Sequence, residues 1–372
     1  MRILDLHVFL RVLGALAVAG AVAFISTPVV KNLAVRVGAV DVPKDDRRMH
    51  DHPIPRMGGL AIFLGFTLSA LVFLPLTDQM RGMLLGAVVI VVLGILDDVY
   101  ALSAKLKFPV QILAALIAVL MGNRITFLSN PNVFSANSVW DLGWLSIPVS
   151  VLWIVAITNA VNLIDGLDGL ACGISTISSL TMLVIALCVA EPGVAILMAA
   201  LSGACIGFLP YNLNPAKIFM GDTGSTFLGF IMATASIQGL FKLYNIISFA
   251  VPFLMLGLPI FDTCSAIVRR VSHGQSPMTA DRSHVHHKLI DMGFSQKQAV
   301  AILYVISAML GLAAVVLTTR GEVQAMIFLL AVCAAGAVGL RLFKHRRNAE
   351  ASSQAPRKED ELYFDERGPS EK

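Results

Sequence analysis

The chain alternates between long apolar stretches and short polar segments. About eleven predominantly apolar stretches can be followed along it. Since roughly 17 to 25 such residues cross a bilayer as a helix, the pattern predicts an all-α polytopic integral membrane protein with about 11 transmembrane helices. The predicted spans are residues 6–29, 57–76, 82–97, 108–122, 144–163, 170–190, 193–210, 224–241, 246–267, 298–318 and 322–342.

The composition supports a membrane protein. Hydrophobic residues make up 56% and charged residues 14% of the 372 residues, whereas soluble domains carry about 25% charged residues. We therefore expect one polytopic membrane domain over residues 1–342. The polar tail, residues 343–372, is predicted to be a disordered cytoplasmic segment.

The basic residues predict the orientation of the spans. Most of the 28 Lys and Arg residues fall in alternate loops and in the C-terminal tail. Because cytoplasmic loops of membrane proteins carry an excess of Lys and Arg, these loops are predicted to be cytoplasmic. The N-terminus is then outside and the C-terminus in the cytoplasm.

Four polar clusters fall on the predicted cytoplasmic side. They are "LDD" at 96–98, "NAVNLIDGLDG" at 159–169, "YNLNPAKIFMGDTGS" at 211–225 and "DRSHVHHKLIDMGFS" at 281–295. Solvated loops would explain any one cluster, but four clusters rich in Asp, Asn and His indicate one composite site on this face. A transporter is the alternative class, yet it would place polar residues near the midplane and often shows repeated halves.

Adjacent carboxylates at the end of an apolar span indicate a cation site. Ionised Asp97 and Asp98 repel each other, and Mg²⁺ would relieve that repulsion through its preference for oxygen ligands and substrate phosphates. The clusters supply more carboxylates than one ion needs, so some are expected to bind substrate or take up a proton. The five candidates are Asp97, Asp98, Asp165, Asp168 and Asp222.

Two further patterns point to substrate binding. Asn159, Asn162, Asp165 and Asp168 recur every three residues, which places neighbours on one helix face; a cap and turn is the alternative. "GDTGS" opens a predicted span, and a helix N-terminus attracts anions such as phosphate, although Asp and Thr are also common N-caps.

The segment "SHVHHK" contains three histidines in four positions. A zinc site is one alternative, but it normally needs more ligands at suitable spacing. With Arg282 and Lys288 nearby, the histidines favour phosphate binding, and a solvated basic loop is the remaining alternative. The five cysteines lie inside apolar spans and imply no disulfide framework.

Taken together, the motifs resemble those of the polyprenyl-phosphate N-acetylhexosamine-1-phosphate transferase superfamily. The matching segments are "RRMHDHPIPRMGG", "GILDDVYALSAKLKF", "NAVNLIDGLDGLA", "YNLNPAKIFMGDTGS", "PIFDT" and "DRSHVHHKLIDMGFSQKQAV". The form His-x-His-His resembles the UDP-GlcNAc branch, whereas three consecutive histidines are usual in the phospho-MurNAc-pentapeptide transferases, which remain the alternative. A CDP-alcohol phosphatidyltransferase is disfavoured because "DGLDGLACG" lacks that family's arginine.

The resemblance implies an enzyme that transfers GlcNAc-1-phosphate from UDP-GlcNAc to undecaprenyl phosphate with Mg²⁺, for which Mn²⁺ can substitute. It implies a bacterial cytoplasmic membrane location, initiation of a cell-envelope polysaccharide, a bilayer environment, a homodimer and no nucleic-acid partner. The predicted span 246–267 is expected to bend and form a lipid groove.

The resemblance also implies roles for individual residues. Asp222 and Asp98 are expected metal ligands, and Asp98 is also the expected general base, with a covalent aspartyl route left open. The expected catalytic residues are Asp97, Asp98 and Lys107. The expected substrate-binding residues are Asn159, Asn162, Asp165, Asp168, Asn212, Phe219, Arg282, His284, His286 and His287.

Overall fold

The computed structural model describes residues 6–42, 53–129, 139–239, 247–274, 284–321 and 323–331. Within them the chain is mainly helical, as predicted. The helices are α1 (Leu6–Val37), α2 (Gly59–Phe73), α3 (Asp78–Tyr100), α4 (Ala104–Leu120), α5 (Ser146–Leu163), α6 (Leu170–Cys188), α7 (Pro192–Asn212), α8 (Gly221–Gly239), α9 (Ile247–Met255), α10 (Gly257–Ser272), α11 (Val285–Asp291) and α12 (Gln296–Arg320).

Two short antiparallel hairpins accompany the helices. Strand β1 (Val40–Asp41) pairs with β2 (Ile54–Pro55), and β3 (Phe127–Ser129) pairs with β4 (Val139–Asp141). Each strand has only two or three residues. The β1–β2 hairpin matters for function, because it brings the segment before α2 to the site described below.

Six of the described helical segments are long and apolar enough to cross a membrane. They correspond to α1, α3, α5 with its preceding turn, α6, α7 and α12. The predicted spans at 57–76, 108–122 and 224–241 also form helices, namely α2, α4 and α8, but these are shorter or less apolar. The total of about 11 spans, the orientation and the placement of both termini stay predictions.

The predicted ninth span is interrupted. Helix α9 ends at Met255 and α10 begins at Gly257. Pro252 lies within α9, and its carbonyl oxygen accepts a hydrogen bond from the Leu256 amide at 3.1 Å. The break agrees with the predicted bend, because proline and glycine weaken the helical hydrogen-bond pattern.

The last predicted span is described only in part. Residues 323–331 are helical and belong to a separate compact unit that begins at Val323. The predicted disordered tail, residues 343–372, lies outside the described residues, as do most of residues 322–342.

Helix α8 is enclosed by other helices rather than facing lipid. Every residue from Thr223 to Ile237 is buried, and α8 packs against α3 and α5. Small residues allow this close approach: a Cβ on Gly94 would lie 2.4 Å from the Cα of Thr223. The packing places the N-terminus of α8 directly beside the C-terminal turn of α3, where the adjacent aspartates lie.

The outer helices expose apolar side chains instead. On α1, Ile25 is 70% exposed and Val29 is 68% exposed. Such residues are expected where a helix faces the hydrocarbon of a bilayer, so the burial pattern agrees with the membrane prediction.

Candidate active site

A cavity of about 370 Å³ opens where the ends of several helices meet. Its walls come from the β1–β2 region, the α5–α6 loop, the α7–α8 loop and the start of α12. The lining residues are Asp41, Arg56, Asn162, Asp165, Gly166, Leu167, Asp168, Asn212, Phe219, Met220, Gly221, Asp222 and Gln296. Two of the four predicted polar clusters therefore line one cavity, and "LDD" contacts its wall at Asp222.

Asp97 lies in the last turn of α3, just before the connection to α4. Helix α3 ends because Ala101 adopts a left-handed conformation, with φ of 51°. The Asp97 carboxylate accepts a hydrogen bond from the Leu102 amide at 2.7 Å and pairs with Lys107 Nζ at 3.1 Å. The turn thus holds Asp97 and the first turn of α4 together.

Lys107 connects the aspartate pair to the cavity. Its Nζ lies 3.1 Å from Asp97 Oδ2 and 2.8 Å from Asp222 Oδ2. One ammonium group therefore serves two carboxylates from helices far apart in sequence. The expected proximity of Asp97, Lys107 and Asp222 is observed, and their catalytic and metal-binding roles stay predictions.

Asp98 points away from Lys107 and into the protein. Its Oδ1 accepts hydrogen bonds from Arg56 Nε at 3.1 Å and from the Asp222 amide at 3.0 Å. Its Oδ2 accepts from the Thr223 amide at 3.1 Å and the Thr223 hydroxyl at 2.6 Å. The carboxylate therefore caps the N-terminus of α8, and its predicted roles as base and metal ligand stay predictions.

The three-residue pattern begins in the last part of α5 and continues into the following loop, and its side chains have different partners. Helix α5 ends at Leu163, and the following loop carries Asp165 and Asp168 into the cavity wall. Asn162 also lines the cavity and donates to Ser225 Oγ at 2.8 Å. Asn159 lies deeper in α5 and donates to Gln111 Oε1 at 2.7 Å.

Asn159 is not among the residues that line the cavity, unlike the next three members of the pattern. An angular drift of about 60° per step on an ideal helix separates the ends of the stripe, and Asn159 faces α4 instead. Its predicted role in substrate binding stays a prediction.

Asp168 secures the neighbouring loop. Its Oδ2 accepts hydrogen bonds from Asn214 Nδ2 at 2.9 Å and from the Ala216 amide at 3.0 Å. Asn214 also donates to Gln296 Oε1 at 2.8 Å, which ties the loop to the first turn of α12. These contacts fix the α7–α8 loop that carries the predicted nucleoside-binding residues.

Asn212 and Phe219 both line the cavity, and their expected contacts with a nucleoside stay predictions. Asn212 is buried and donates to the Ile218 carbonyl oxygen at 3.1 Å. The Phe219 amide donates to the Pro55 carbonyl oxygen at 2.8 Å, and its own carbonyl oxygen accepts from the Gly58 amide at 2.9 Å. The segment before α2 therefore supports the aromatic wall.

The electrostatics of the cavity reflect its many carboxylates. Desolvation, followed by the negative charges of Asp222 and Asp98, raises the pKa of Asp165 to about 8. Burial lowers the pKa of Arg56, but the charges of Asp98, Asp222 and Asp41 outweigh it and raise the pKa overall. The cavity is therefore rich in carboxyl groups on one side, which favours a cation or a cationic side chain.

The histidine segment packs beside the cavity. His284 precedes α11, and its Nδ1 lies 2.8 Å from Asp262 Oδ2, while the Val285 amide donates to Asp262 Oδ1 at 2.9 Å. His286 is 3% exposed, and a Cβ on Gly166 would lie 2.3 Å from its Nε2. Burial lowers the pKa of His286 to about 4, so this ring is neutral at pH 7.

The substrate-binding roles predicted for the histidines stay predictions. The His287 ring lies beside the His286 ring at a tilt of 42°, with ring centroids 4.3 Å apart. Arg282 lies outside the described residues. None of the three histidines is among the cavity-lining residues, but His286 touches the loop between Asp165 and Asp168.

Several residues of this site had no predicted role, although Arg56 and Asp262 lie in the matching segments "RRMHDHPIPRMGG" and "PIFDT". Arg56, Asp41 and Gln296 line the cavity, and Asp262 holds the histidine segment. Arg56 was detectable in principle, because it is a cation in a loop predicted to lie on the same face as five aspartates. Asp41 and Gln296 have no distinguishing pattern, since their positions depend on the packing of the β1–β2 hairpin and α12.

Comparison with known proteins gives consistent relatives. The profile described as "Glycosyl transferase family 4" matches residues 80–240. The "Probable undecaprenyl-phosphate N-acetylglucosaminyl 1-phosphate transferase" of Bacillus subtilis (strain 168) is 44% identical over 309 residues, covering 83% of this chain and 85% of that protein. The "Decaprenyl-phosphate N-acetylglucosaminephosphotransferase" of Mycolicibacterium smegmatis is 36% identical, covering 77% of each chain.

A relative from the alternative branch also matches. The "Phospho-N-acetylmuramoyl-pentapeptide-transferase" of Staphylococcus aureus (strain MSSA476) is 31% identical over 277 residues, covering 69% of this chain and 83% of that protein. The named relatives are transferases, which confirms the predicted enzyme class over the transporter alternative. Together with the apolar helices, these similarities show that the chain is a multi-pass membrane protein that belongs to glycosyl transferase family 4.

Proposed function

We propose that the protein transfers GlcNAc-1-phosphate from UDP-GlcNAc to undecaprenyl phosphate, giving GlcNAc-diphosphate-undecaprenol and UMP. The observation that carries the proposal is the junction of Asp97, Lys107 and Asp222 at the wall of a polar cavity. The similarity to the Bacillus subtilis relative, over most of both chains, supports the choice of substrates.

The cavity has the features that the nucleotide half of the donor needs. Phe219 offers an aromatic surface on which a base can stack. Asn162 and Asn212 offer amide groups in the same wall. A volume of about 370 Å³ lies within the range of about 300–1,000 Å³ that is usual for small-molecule sites.

The reaction requires a phosphate oxygen of the lipid to attack the phosphorus that carries the sugar. The bond from that phosphorus to the bridging oxygen then breaks, and UMP leaves. Both partners are anions, so a cation near the attacked phosphorus lowers their repulsion. Lys107 Nζ can supply this positive charge, because it contacts Asp97 and Asp222 and Asp222 lines the cavity.

The residues also fit the predicted Mg²⁺. Among the described residues no group of three His, Cys, Asp or Glu side chains is arranged to hold a metal ion. Mg²⁺ nevertheless usually takes one or two carboxylates and completes its shell with waters and substrate phosphates. Asp222, the carboxylate of the expected pair Asp222 and Asp98 that lines the cavity, would hold it, with Mn²⁺ able to substitute, and the ion would neutralise charge on the diphosphate.

Asp97 is the carboxylate that we assign to the lipid phosphate. Its Oδ2 faces Lys107, at the same junction as Asp222. Lys107 attracts the anionic head group, and Asp97 accepts the proton of a singly ionised phosphate. Direct attack of the lipid phosphate needs no covalent intermediate.

The setting of the reaction follows from its substrates. Because the lipid acceptor stays in the bilayer and the nucleotide donor is soluble, we propose that the cavity opens at the membrane surface. We place the protein in the bacterial cytoplasmic membrane with this face in the cytoplasm. The product would serve as the lipid-linked first sugar of a cell-envelope polysaccharide.

The experiment that tests the proposal is a transfer assay with the purified full chain in detergent. Undecaprenyl phosphate, Mg²⁺ and UDP-GlcNAc are supplied and UMP release is followed. We expect release that requires the lipid and disappears in Asp222→Asn. UMP release that is independent of the lipid, or that survives in the variant, would contradict the proposal.

A further inference from the structure

We infer that the two adjacent aspartates have different tasks, with Asp98 a positioning residue that fixes the N-terminus of α8 and thereby aims Asp222. Asp97 is then the member of the pair that meets the reacting phosphates. The inference rests on the proposed function for the reaction concerned, but the cap itself is a property of the protein alone. It revises the expectation that Asp98 is a base or a metal ligand.

The hydrogen bonds of Asp98 leave it no capacity for a substrate. A carboxylate offers about four lone-pair sites. Oδ1 accepts from Arg56 and the Asp222 amide, and Oδ2 accepts from the amide and the hydroxyl of Thr223. The side chain is 0% exposed to solvent. A metal ion or phosphate could reach Asp98 only after one of these partners had left.

The backbone around Asp98 is fitted to the carboxylate. Gly221 has φ of +70°, and a Cβ there would lie 2.3 Å from Asp98 Oδ2. A Cβ on Gly94, one helical turn before Asp98, would lie 2.4 Å from the Cα of Thr223. Neither contact leaves room for an ion between α3 and α8.

The charge of Asp98 is compensated without a metal. The free N–H groups and the dipole of a helix N-terminus favour a negative charge. The Arg56 guanidinium adds a positive charge, with its Nη2 3.1 Å from Asp98 Oδ1. The carboxylate is therefore satisfied at the end of an apolar helix, where an unpaired charge would be costly.

The consequence of the cap falls on Asp222. Its backbone amide is held by Asp98, while its side chain reaches Lys107 at 2.8 Å. Loss of the cap would let the first turn of α8 shift and would misplace the Asp222 carboxylate. A displacement of about 1 Å in a catalytic group can lower turnover about 100-fold.

The test compares Asp98→Asn with Thr223→Val in the full chain. Asn introduces an N–H group toward the donors of α8, and Val removes the hydroxyl donor while keeping the side-chain shape. We expect kcat to fall about 100-fold in Asp98→Asn and about tenfold in Thr223→Val, with a lower melting temperature in both. The double variant should have a kcat no lower than that of Asp98→Asn, because both changes act on the same contact between Asp98 and Thr223.

Two controls separate positioning from general destabilisation. Thr223→Ser retains the hydroxyl and should keep kcat within about twofold of the parent. Thr234→Val makes the same change at another buried position of α8, where the hydroxyl bonds only to carbonyl oxygens of α8. This control should leave kcat unchanged even if the melting temperature falls.

The inference fails if Thr223→Val and Thr234→Val have equal kcat, since Asp98 would then act without its cap. It also fails if Asp98→Asn abolishes turnover at an unchanged melting temperature, as expected of a base or metal ligand. If Asp98→Asn does not fold, the threonine variants still decide. If the parent releases no UMP, the proposed function fails, and only the melting temperatures then test the cap. Non-additive decreases in the melting temperatures of Asp98→Asn, Thr223→Val and their double variant would support the cap. Melting temperatures equal to that of the parent would refute it.

Discussion

Replacing Gly166 by Ala would test whether the histidine segment is seated against the cavity. Gly166 lies in the cavity wall beside Asp165. A Cβ at this position would lie 2.3 Å from Nε2 and 2.8 Å from Cε1 of His286. Ordinary contacts begin at 3.4 Å, so the ring or the loop must move by about 1 Å.

The magnitude follows from the surroundings of the ring. His286 is 3% exposed and cannot swing freely into solvent. Overpacking at such a buried site costs about 1–3 kcal/mol of the free energy of unfolding. Because Asp165 is adjacent, the same displacement is expected to lower kcat by up to about 100-fold.

The assay measures the melting temperature and UMP release for Gly166→Ala beside Gly193→Ala. A Cβ on Gly193 would meet nothing within 4 Å, so this control changes the residue type without a clash. The double variant Gly166→Ala/His286→Ala removes the ring and should melt no lower than His286→Ala alone, because the added Cβ then no longer meets the ring. Its turnover then reports whether the His286 ring is itself required.

The reasoning would be refuted if Gly166→Ala matched Gly193→Ala in both melting temperature and turnover. The histidine segment would then not be packed against the α5–α6 loop. A double variant that melted well below His286→Ala would likewise show that His286 is not the obstructing group.

Three further predictions concern charged groups. Lys107→Met should lower kcat by about 100-fold or more, because the junction of Asp97 and Asp222 would lose the ammonium group that attracts the lipid phosphate. The exposed Lys105→Met, as the control, should change kcat less than about twofold. The pKa of Asp165 is about 8 in the folded protein, above its value of 3.8 in the unfolded chain. The folded state therefore binds the proton more tightly, and the free energy of unfolding decreases as the pH rises from the lower pKa to the higher one. Asp165→Asn should therefore melt above the parent at pH 8, by a margin that shrinks toward pH 5; a margin independent of pH would contradict the raised pKa. Asp262→Ala should lower the free energy of unfolding by about 1–3 kcal/mol, because the His284 ring and the Val285 amide would lose their partner. The control Asp291→Ala, at an exposed position, should change it little.

Much of the architecture was predictable because bilayer thickness sets the length of apolar helices. The breaks after Leu163 and at Leu256 also followed from local signals, namely Gly, Asp and Pro residues that weaken helices. The span predicted at 224–241 forms α8, but its Gly, Ser and Thr residues lower its hydropathy, and its burial by other helices was not predicted. Those residues serve close helix packing, which no local pattern reveals.

The site was predictable in its composition but not in its pairings. From the sequence, both Asp97 and Asp98 were expected to be catalytic, and Asp98 was also the expected base and metal ligand, because no local pattern shows which partner each adjacent carboxylate faces. Their difference arises from a rotation of about 100° between neighbours on a helix, which turns Asp97 toward Lys107 and Asp98 toward α8. Asn159 diverges from its pattern for the same geometric reason.

The most direct test of the central claim is the mass of the lipid product. The purified protein would receive undecaprenyl phosphate, Mg²⁺ and an equimolar mixture of UDP-GlcNAc and UDP-MurNAc-pentapeptide, with Asp222→Asn in parallel. We predict a single new lipid whose mass equals that of undecaprenyl phosphate plus GlcNAc-1-phosphate minus one water, formed with UMP and absent in the variant. A product carrying the pentapeptide would contradict the proposed donor, and an unmodified lipid in the presence of folded protein would contradict the proposed reaction.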